Sequence, residues 1–408
     1  VTDEVEQARI WFRENWNPEL TLGEWWSRLA RSGYGFPSWP REWFGRGLSK
    51  DEGRAIHAAR KEAGAFRAPH GIATQMVALS LMEIGTTHQR DRYIPKIVTG
   101  EEIWCQLFSE PGAGSDLASV RTRAELRDGR WIVNGQKVWT SGASYADKGI
   151  LLARTDVSVP KHKGMSFFIL DMKQPGVEVR PLRQMNGMAE FFEVFFTDAE
   201  ISAKDMIGSP GDGWSVAMRM LGHERQSLDA DADSTGGLMA ELPLSTRVGD
   251  LVVDGGEAEN VDPAGVSVGA KARAEIIELI QWAGCGDDPV VRQKAAELFM
   301  LIDIARFAGR DIDPSLSKLA ATRIMEKYRS VSLSILGADA MLIGPDTPFG
   351  GRFQEMALTM TGLTIAGGTD QIQRNIVGER LLGLPAEPRV DKDIPFRDLL
   401  ASGGGRAQ

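Results

Sequence analysis

The chain has 408 residues, 42% hydrophobic, 25% charged and 8% aromatic, with 45 Gly and 19 Pro, which excludes disordered, collagen-like and coiled-coil classes. At roughly 100 to 200 residues per domain it has room for two or three packed units. With 47 Lys and Arg against 56 Asp and Glu the formal charge is −9, so no global basic field draws in nucleic acid or an anionic membrane, and a phosphate-bearing ligand needs a local pocket. Cys105 and Cys285 form no CxxC pair, which argues against a disulfide scaffold and a zinc ribbon. Asp3, Glu4 and Glu6 stand where a secretory leader would be basic, and no run approaches the roughly 18 apolar residues of a membrane span. A cytoplasmic location is expected.

The spacing of Met76, Val77, Leu79, Leu81, Met82 and Ile84 is helical, and a helical unit is predicted over 1–101, broken by a turn at Gly33 to Pro40. The period then changes. Asp128-Gly129 and Asn134-Gly135 are hairpin-type dipeptides either side of Trp131 to Val133, and further strand-like runs cover Ile150 to Ala153, Phe167 to Leu170, Val177 to Val179 and Val194 to Phe196. These predict a middle antiparallel β unit over 102–207. Helical spacing returns in Trp214 to Leu221, Val290 to Phe307 and Ser317 to Leu336, predicting a helical bundle over 208–392. The Gly- and Asp-rich stretch from Asp229 to about Gly269 predicts a partly irregular connection, 393–408 is set apart as a tail, and Gly403-Gly404-Gly405 predicts fraying over Ser402 to Gln408. The order α, β, α suggests a ligand held where the β unit meets the helices.

Several segments could carry chemistry. In Gln106-Leu-Phe-Ser-Glu-Pro-Gly-Ala-Gly-Ser-Asp116, backbone N–H groups with Ser109 and Ser115 suit a phosphate or the polar rim of a flat cofactor, and suit a tight turn equally well. Leu117 stands where a GxGxxG fingerprint needs glycine. In Asn134-Gly-Gln-Lys-Val-Trp-Thr-Ser-Gly142, Trp139 ends a strand beside Thr140 and Ser141, a position where tryptophan is usually core. On the helix entered at Gly213-Trp214, Glu224-Arg225 reads as a surface pair or as a carboxylate in a dry pocket, where desolvation would make it a better base. Asp229, Asp231 and Asp233 begin like an EF-hand loop, but Ser234 and Ala240 occupy its glycine and glutamate positions. The histidines show no metal-ligand spacing, so no metal site is expected.

Taken together these segments resemble the acyl-CoA dehydrogenase family. The resemblance rests on Gly85-Thr-Thr-His-Gln-Arg with Tyr93-Ile-Pro-Lys and Gly100, on Ser109 to Asp116, and on Asn134 to Ser141 with Leu152-Ala-Arg-Thr-Asp156. It continues in Gly213-Trp214, Glu224-Arg225 and Gly368-Thr-Asp-Gln-Ile-Gln-Arg374, in family order from about residue 75 to 385. It implies an α+β fold of N-terminal helices, a middle antiparallel β domain and a C-terminal four-helix bundle, with non-covalent FAD. By motif position Gln106, Phe108, Ser109, Trp139 and Ser141 would line the flavin, and Thr369 and Gln371 would contact the rest of FAD. Ser115 and Arg225 would meet the acyl-CoA substrate.

The family removes the α-proton of an acyl thioester with a carboxylate as hydride leaves the β-carbon. Most members place that carboxylate just before the Gly-Thr of the last motif; here the place is Gly367, whose N–H can only polarise the thioester. A minority, including members acting on bulky acyl groups, uses the earlier helix, where Glu224 stands. The cross-dimer Arg-x-x-Phe-Gly element is not recognisable in Gly284-Cys-Gly-Asp-Asp-Pro289, and Gln-x-x-Gly-Gly-x-Gly has become Ser334-Ile-Leu-Gly-Ala-Asp-Ala340. That pattern resembles the actinobacterial α2β2 branch of steroid degradation, in which unlike subunits share each flavin. It implies dehydrogenation of a steroid-derived acyl-CoA with electrons passed to electron-transfer flavoprotein. The alternatives are an acyl-CoA oxidase-like flavoenzyme and a non-catalytic subunit completing a partner's FAD site.

Overall fold

The computed structural model describes residues 3–230, 242–253, 256–257, 266–308, 312–344, 346–388 and 391–401. The first 100 residues are helical: α1 (Asp3–Asn15), α2 (Leu22–Ser32), α3 (Lys50–Glu62), α4 (Ala78–Ile84) and α5 (Thr87–Val98). Thr21 with Glu24, Ser49 with Glu52 and Thr86 with Gln89 form capping boxes that start α2, α3 and α5 by satisfying orphan N–H groups. The Leu22, Trp25, Trp26, Leu29 stripe of α2 is buried, as helical spacing requires. Ahead of α4, Ala73–Val77 forms a π-helical turn.

The middle of the chain is an eight-stranded sheet of β1 (Trp104–Leu107), β2 (Arg123–Arg127), β3 (Arg130–Ser141), β4 (Lys148–Arg154), β5 (Met165–Asp171), β6 (Val177–Leu182), β7 (Phe191–Ser202) and β8 (Met206–Ile207). The order is β6-β7-β3-β2-β4-β5-β8, with β1 parallel to β4. Asp128-Gly129 turns β2 into β3 as predicted, both residues lying at positive φ. Asn134-Gly135 is not a second hairpin. β3 runs straight through it, and the pairing with β7 slips by a bulge between Val133 and Gly135. Gly135 has φ 151° and a side chain there would stand 2.6–2.8 Å from Thr122, so glycine serves close backbone approach.

After β8, α6 (Gly213–Ala230) begins pressed against β5; a Cβ on Gly213 would lie 2.7 Å from Met165 C and Ser166 N. It packs on the π turn and α4 and touches the C-terminal helices. Two short strands, β9 (Val252–Val253) and β10 (Gly256–Glu257), follow, then α7 (Val266–Ala283), α8 (Pro289–Ala308), α9 (Pro314–Leu336), α10 (Arg352–Thr359), α11 (Asp370–Ile376) and α12 (Phe396–Ala401). Ile276, Leu279, Leu298, Ile302, Tyr328 and Phe353 form the buried centre of this bundle.

Parts of the chain expected to be irregular or to form the tail are ordered, and the fraying expected over 402–408 lies outside the described residues. Within the stretch predicted as a connection, residues 242–253 dock on the N-terminal helices, with Val248 fully buried among Phe12, Leu22 and Trp25. Thr246 and Leu244 carbonyls accept the first two N–H groups of α2, from Leu22 at 2.8 Å and Gly23 at 2.9 Å. The segment set apart as a tail contains α12, whose Phe396 is buried under the Arg154 guanidinium at 3.9 Å. Asp231, Asp233, Ser234 and Ala240 lie outside the described residues. Among the described residues there is no His, Cys, Asp and Glu grouping fit for a metal, and no helix long and apolar enough to cross a membrane.

Candidate active site

One core cluster joins all three parts of the chain: Met76, Val77 and Leu81 from the first helices, Phe108, Ile150 and Phe167 from the sheet, and Val216, Ala217 and Met220 from α6. Of the predicted site residues, Phe108 belongs to this cluster. β1 delivers Gln106 half-buried and Phe108 buried, and the chain then turns through Ser109 to Asp116. Glu110 and Ala113 exchange two backbone hydrogen bonds at 3.0 Å to close that turn. Gly112 and Gly114 are exposed, and a Cβ on either would meet nothing within 4 Å. Protein packing therefore leaves that face open.

The end of β3 lies against the same turn. A second bulge interrupts the pairing of β3 with β7 between Lys137 and Thr140, where it resumes, and within it Val138 N–H donates instead to the Ser109 carbonyl at 2.9 Å. The bulge puts Trp139 at φ 61° with 60% of its surface exposed, edge-on to Phe191. The expectation of a core tryptophan is thus corrected: left-handed backbone turns its ring outward. Strain of this kind concentrates at ligand sites. Thr140 is fully buried with no hydrogen-bond partner for Oγ1 among the described residues, whereas Ser141 is exposed.

Glu224 is half-buried on α6 and lies four residues beyond Met220, so it continues the inward stripe of Val216, Ala217 and Met220. His223 Nε2 stands 3.2 Å from Glu83 Oε1 of α4. Arg225 follows on the described backbone of α6.

In the C-terminal bundle, Gly367 and Gly368 turn at φ 62° and 83° into α11, where Thr369 Oγ1 caps the helix by accepting Ile372 N–H at 3.2 Å. Gln373 is buried and donates to the Gly367 carbonyl at 2.9 Å, while its Oε1 has no partner among the described residues. Gln371 is exposed. The structure thus joins Phe108 and Ser109 directly to the end of β3, and places Gly367, Thr369 and Gln371 in a separate exposed turn. The loop between β6 and β7 reaches that bundle, Asn186 Nδ2 donating to Thr359 Oγ1 at 3.0 Å. Ser115 is exposed beside Asp116, which pairs with Lys161 at 2.8 Å.

Two functional neighbours were missed from the sequence. Glu110 and Lys137 form a buried ion pair at 2.8 Å behind the turn. Burial raises the Glu110 carboxyl's pKa, but the Lys137 charge and the N–H groups of Arg121 and Thr122 outweigh it and hold the carboxyl below its ordinary value. The available signal was Lys137 itself, since in a strand whose Trp131 and Val133 point inward a lysine at the same alternation needs a buried partner.

Comparison with known proteins agrees with this architecture. Residues 1–101, 105–199 and 283–382 match the N-terminal, middle and C-terminal domains of acyl-CoA dehydrogenases. The chain is 35% identical over 375 residues to acyl-CoA dehydrogenase IpdE1 of Mycobacterium tuberculosis (strain ATCC 25618 / H37Rv), covering 90% of this chain and 88% of that protein. It is 36% identical over 363 residues to acyl-CoA dehydrogenase FadE34 of the same strain, covering 88% of this chain and 45% of that one. Among solved structures, the Tcur3481-Tcur3483 steroid ACAD matches with TM-score 0.68 and 23% identity over 94% of this chain and 97% of that one. The ChsE4-ChsE5 complex from Mycobacterium tuberculosis matches with TM-score 0.68 and 24% identity over 95% and 99%. The chain belongs to the acyl-CoA dehydrogenase family, whose members are FAD-dependent flavoenzymes acting on the CH–CH bond of acyl-CoA thioesters.

The residues present fit such a cofactor. The turn of Gly112 and Gly114 is open, Trp139 offers an exposed ring, and Thr140 Oγ1 is buried without a partner among the described residues.

Proposed function

We propose that this chain is the base-bearing subunit of a FAD-dependent dehydrogenase for a bulky, steroid-derived acyl-CoA. It works with an unlike acyl-CoA dehydrogenase subunit and passes electrons to electron-transfer flavoprotein. The carrying observation is Glu224: it continues the buried stripe of α6 at the three-way core, whereas the usual base position, Gly367, has no side chain. A fold shared with a protein titled steroid ACAD supports the substrate class, and one shared with the ChsE4-ChsE5 complex supports an unlike partner.

In this reading Gln106, Phe108, Ser109, Trp139 and Ser141 hold the flavin ring, and Thr369 and Gln371 the remainder of FAD. When bound, FAD supplies the acceptor for the hydride leaving the substrate β-carbon. Glu224 takes the α-proton. A thioester α-C–H is a weak acid, so the carbonyl needs a hydrogen-bond donor as charge develops, and the backbone N–H of Gly367 provides it. Met220, one turn before Glu224 on α6, is buried in the three-way core, and a low-dielectric surround at this position would favour proton acceptance. Ser115 and Arg225 bind the CoA portion, Arg225 through its phosphates.

The test is Glu224→Gln in the assembled complex, followed by rapid-mixing measurement of flavin bleaching. The amide keeps the size of the carboxylate but cannot accept a proton, so bleaching should slow by about 100- to 10,000-fold with FAD content and acyl-CoA affinity unchanged. Wild-type bleaching would move the base to the partner subunit and make this chain its supporting half. Oxygen consumption during turnover would replace electron-transfer flavoprotein with O₂ as acceptor.

A further inference from the structure

Lys137 is fully buried, the least expected place for a lysine unless it is paired. Its Nζ donates at 2.8 Å to the Phe108 carbonyl and at 2.8 Å to Glu110 Oε1. The carboxylate of Glu110 then accepts Arg121 N–H at 2.6 Å and Thr122 N–H at 2.9 Å. Thr122 Oγ1 returns to β3 by donating to the Gln136 carbonyl at 3.2 Å. One ammonium and one carboxylate thus knot together the end of β1, the turn after it, the start of β2 and the last regular residue of β3.

The knot sits where the two cofactor-facing segments diverge from the sheet. On one side Phe108 and Ser109 leave β1; on the other the bulge after Lys137 turns Trp139 outward. Two hydrogen bonds join the segments at this point, Lys137 Nζ to Phe108 O and Val138 N–H to Ser109 O at 2.9 Å, where the bulge interrupts the pairing of β3 with β7 between Lys137 and Thr140. We infer that Glu110 and Lys137 are positioning residues for the cofactor: the pair sets the spacing between Ser109 and Trp139–Ser141, and with it the affinity for FAD. This rests on the FAD reading above.

A buried pair that merely filled space would be replaceable by apolar side chains of similar volume at little cost in stability. A pair that holds backbone groups in register would not be replaceable without loosening the ligand. E110L/K137M separates the two. E110Q, which keeps shape and removes one charge, is measured beside it. Holoprotein is diluted at a temperature well below unfolding, the fluorescence of released FAD is followed, and circular dichroism reports the fold. Both variants are expected to raise the FAD dissociation constant at least tenfold while the folded signal persists. Folded variants with wild-type FAD affinity overturn the inference and leave the pair a structural element. These measurements are made on the complex assembled with the partner subunit, and a wild-type complex that takes up no FAD overturns the functional reading along with the inference.

Discussion

At the scale of single residues, some buried charges in this protein are met by several backbone groups at once. Arg154 shows the pattern: its guanidinium donates to the carbonyls of Ala118, Val120 and Lys161 and lies over Phe396. Glu110 has a consequence for acid stability. Its pKa is held below the ordinary 4.5 in the folded protein, so the unfolded chain binds its proton first as pH falls. The stabilisation is complete above about pH 4.5 and is lost as pH drops through the lower folded value. Urea titrations between about pH 5 and pH 2 should therefore show E110Q less stable at the upper end and a shallower loss below it. A variant curve parallel to wild type through this range would mean that Glu110 does not carry a depressed pKa. E110Q should also cost about 3–5 kcal/mol at neutral pH, the usual result of stranding one partner of a buried pair.

At the scale of elements, helix and strand identity was legible where a face is periodic, and hidden where pairing is distant. The capping boxes, the α2 stripe and the Asp128-Gly129 turn are local patterns and read directly. Asn134-Gly135 misled because a hairpin dipeptide and a bulge glycine look alike until the partner strand is known. The Glu110–Lys137 pair spans 27 residues and has no local signature. The docked segment 242–253 was unreadable for a similar reason. Its Val248, Leu244 and Leu251 complete a core belonging to helices more than 200 residues earlier, with no period of their own. Val248→Ala should cost roughly 1–3 kcal/mol, as large-to-small changes in cores do. The loss should appear first in α2, whose Leu22 and Gly23 amides depend on Thr246 and Leu244, so their hydrogen exchange should accelerate beyond that of α5. Uniform acceleration across both helices would mean the segment supports the domain as a whole and not the start of α2.

At the scale of the whole molecule, the finished N-terminal core and sheet contrast with the C-terminal bundle, where large apolar side chains remain outside. Met341 and Ile343 are 82% and 84% exposed, and Phe307, Ile365 and Leu382 are also exposed. Exposed apolar side chains of this size would be covered if this unit meets another chain in the proposed assembly. The two motifs by which family homotetramers complete a neighbour's FAD site fall in or beside this bundle, at Gly284–Pro289 between α7 and α8 and at Ser334–Ala340 ending α9, and both have lost their characteristic residues. In the second, Ser334 Oγ is occupied within the chain by Lys294 at 2.8 Å. The near-side elements by resemblance, Gln106 to Asp116 and Gly368 to Arg374, are recognisable. A chain with one intact half-site and one eroded half-site can assemble one FAD site per pair only if the partner supplies the missing half. The expected assembly is therefore α2β2 with one FAD per unlike pair, and the chain purified alone should hold flavin weakly. Native mass spectrometry with flavin absorbance on material co-purified from its host gives both subunit ratio and FAD content. A homotetramer with one tightly bound FAD in every chain would show that Gly284–Pro289 and Ser334–Ala340 still complete a neighbour's site, and the need for an unlike partner would fall with it.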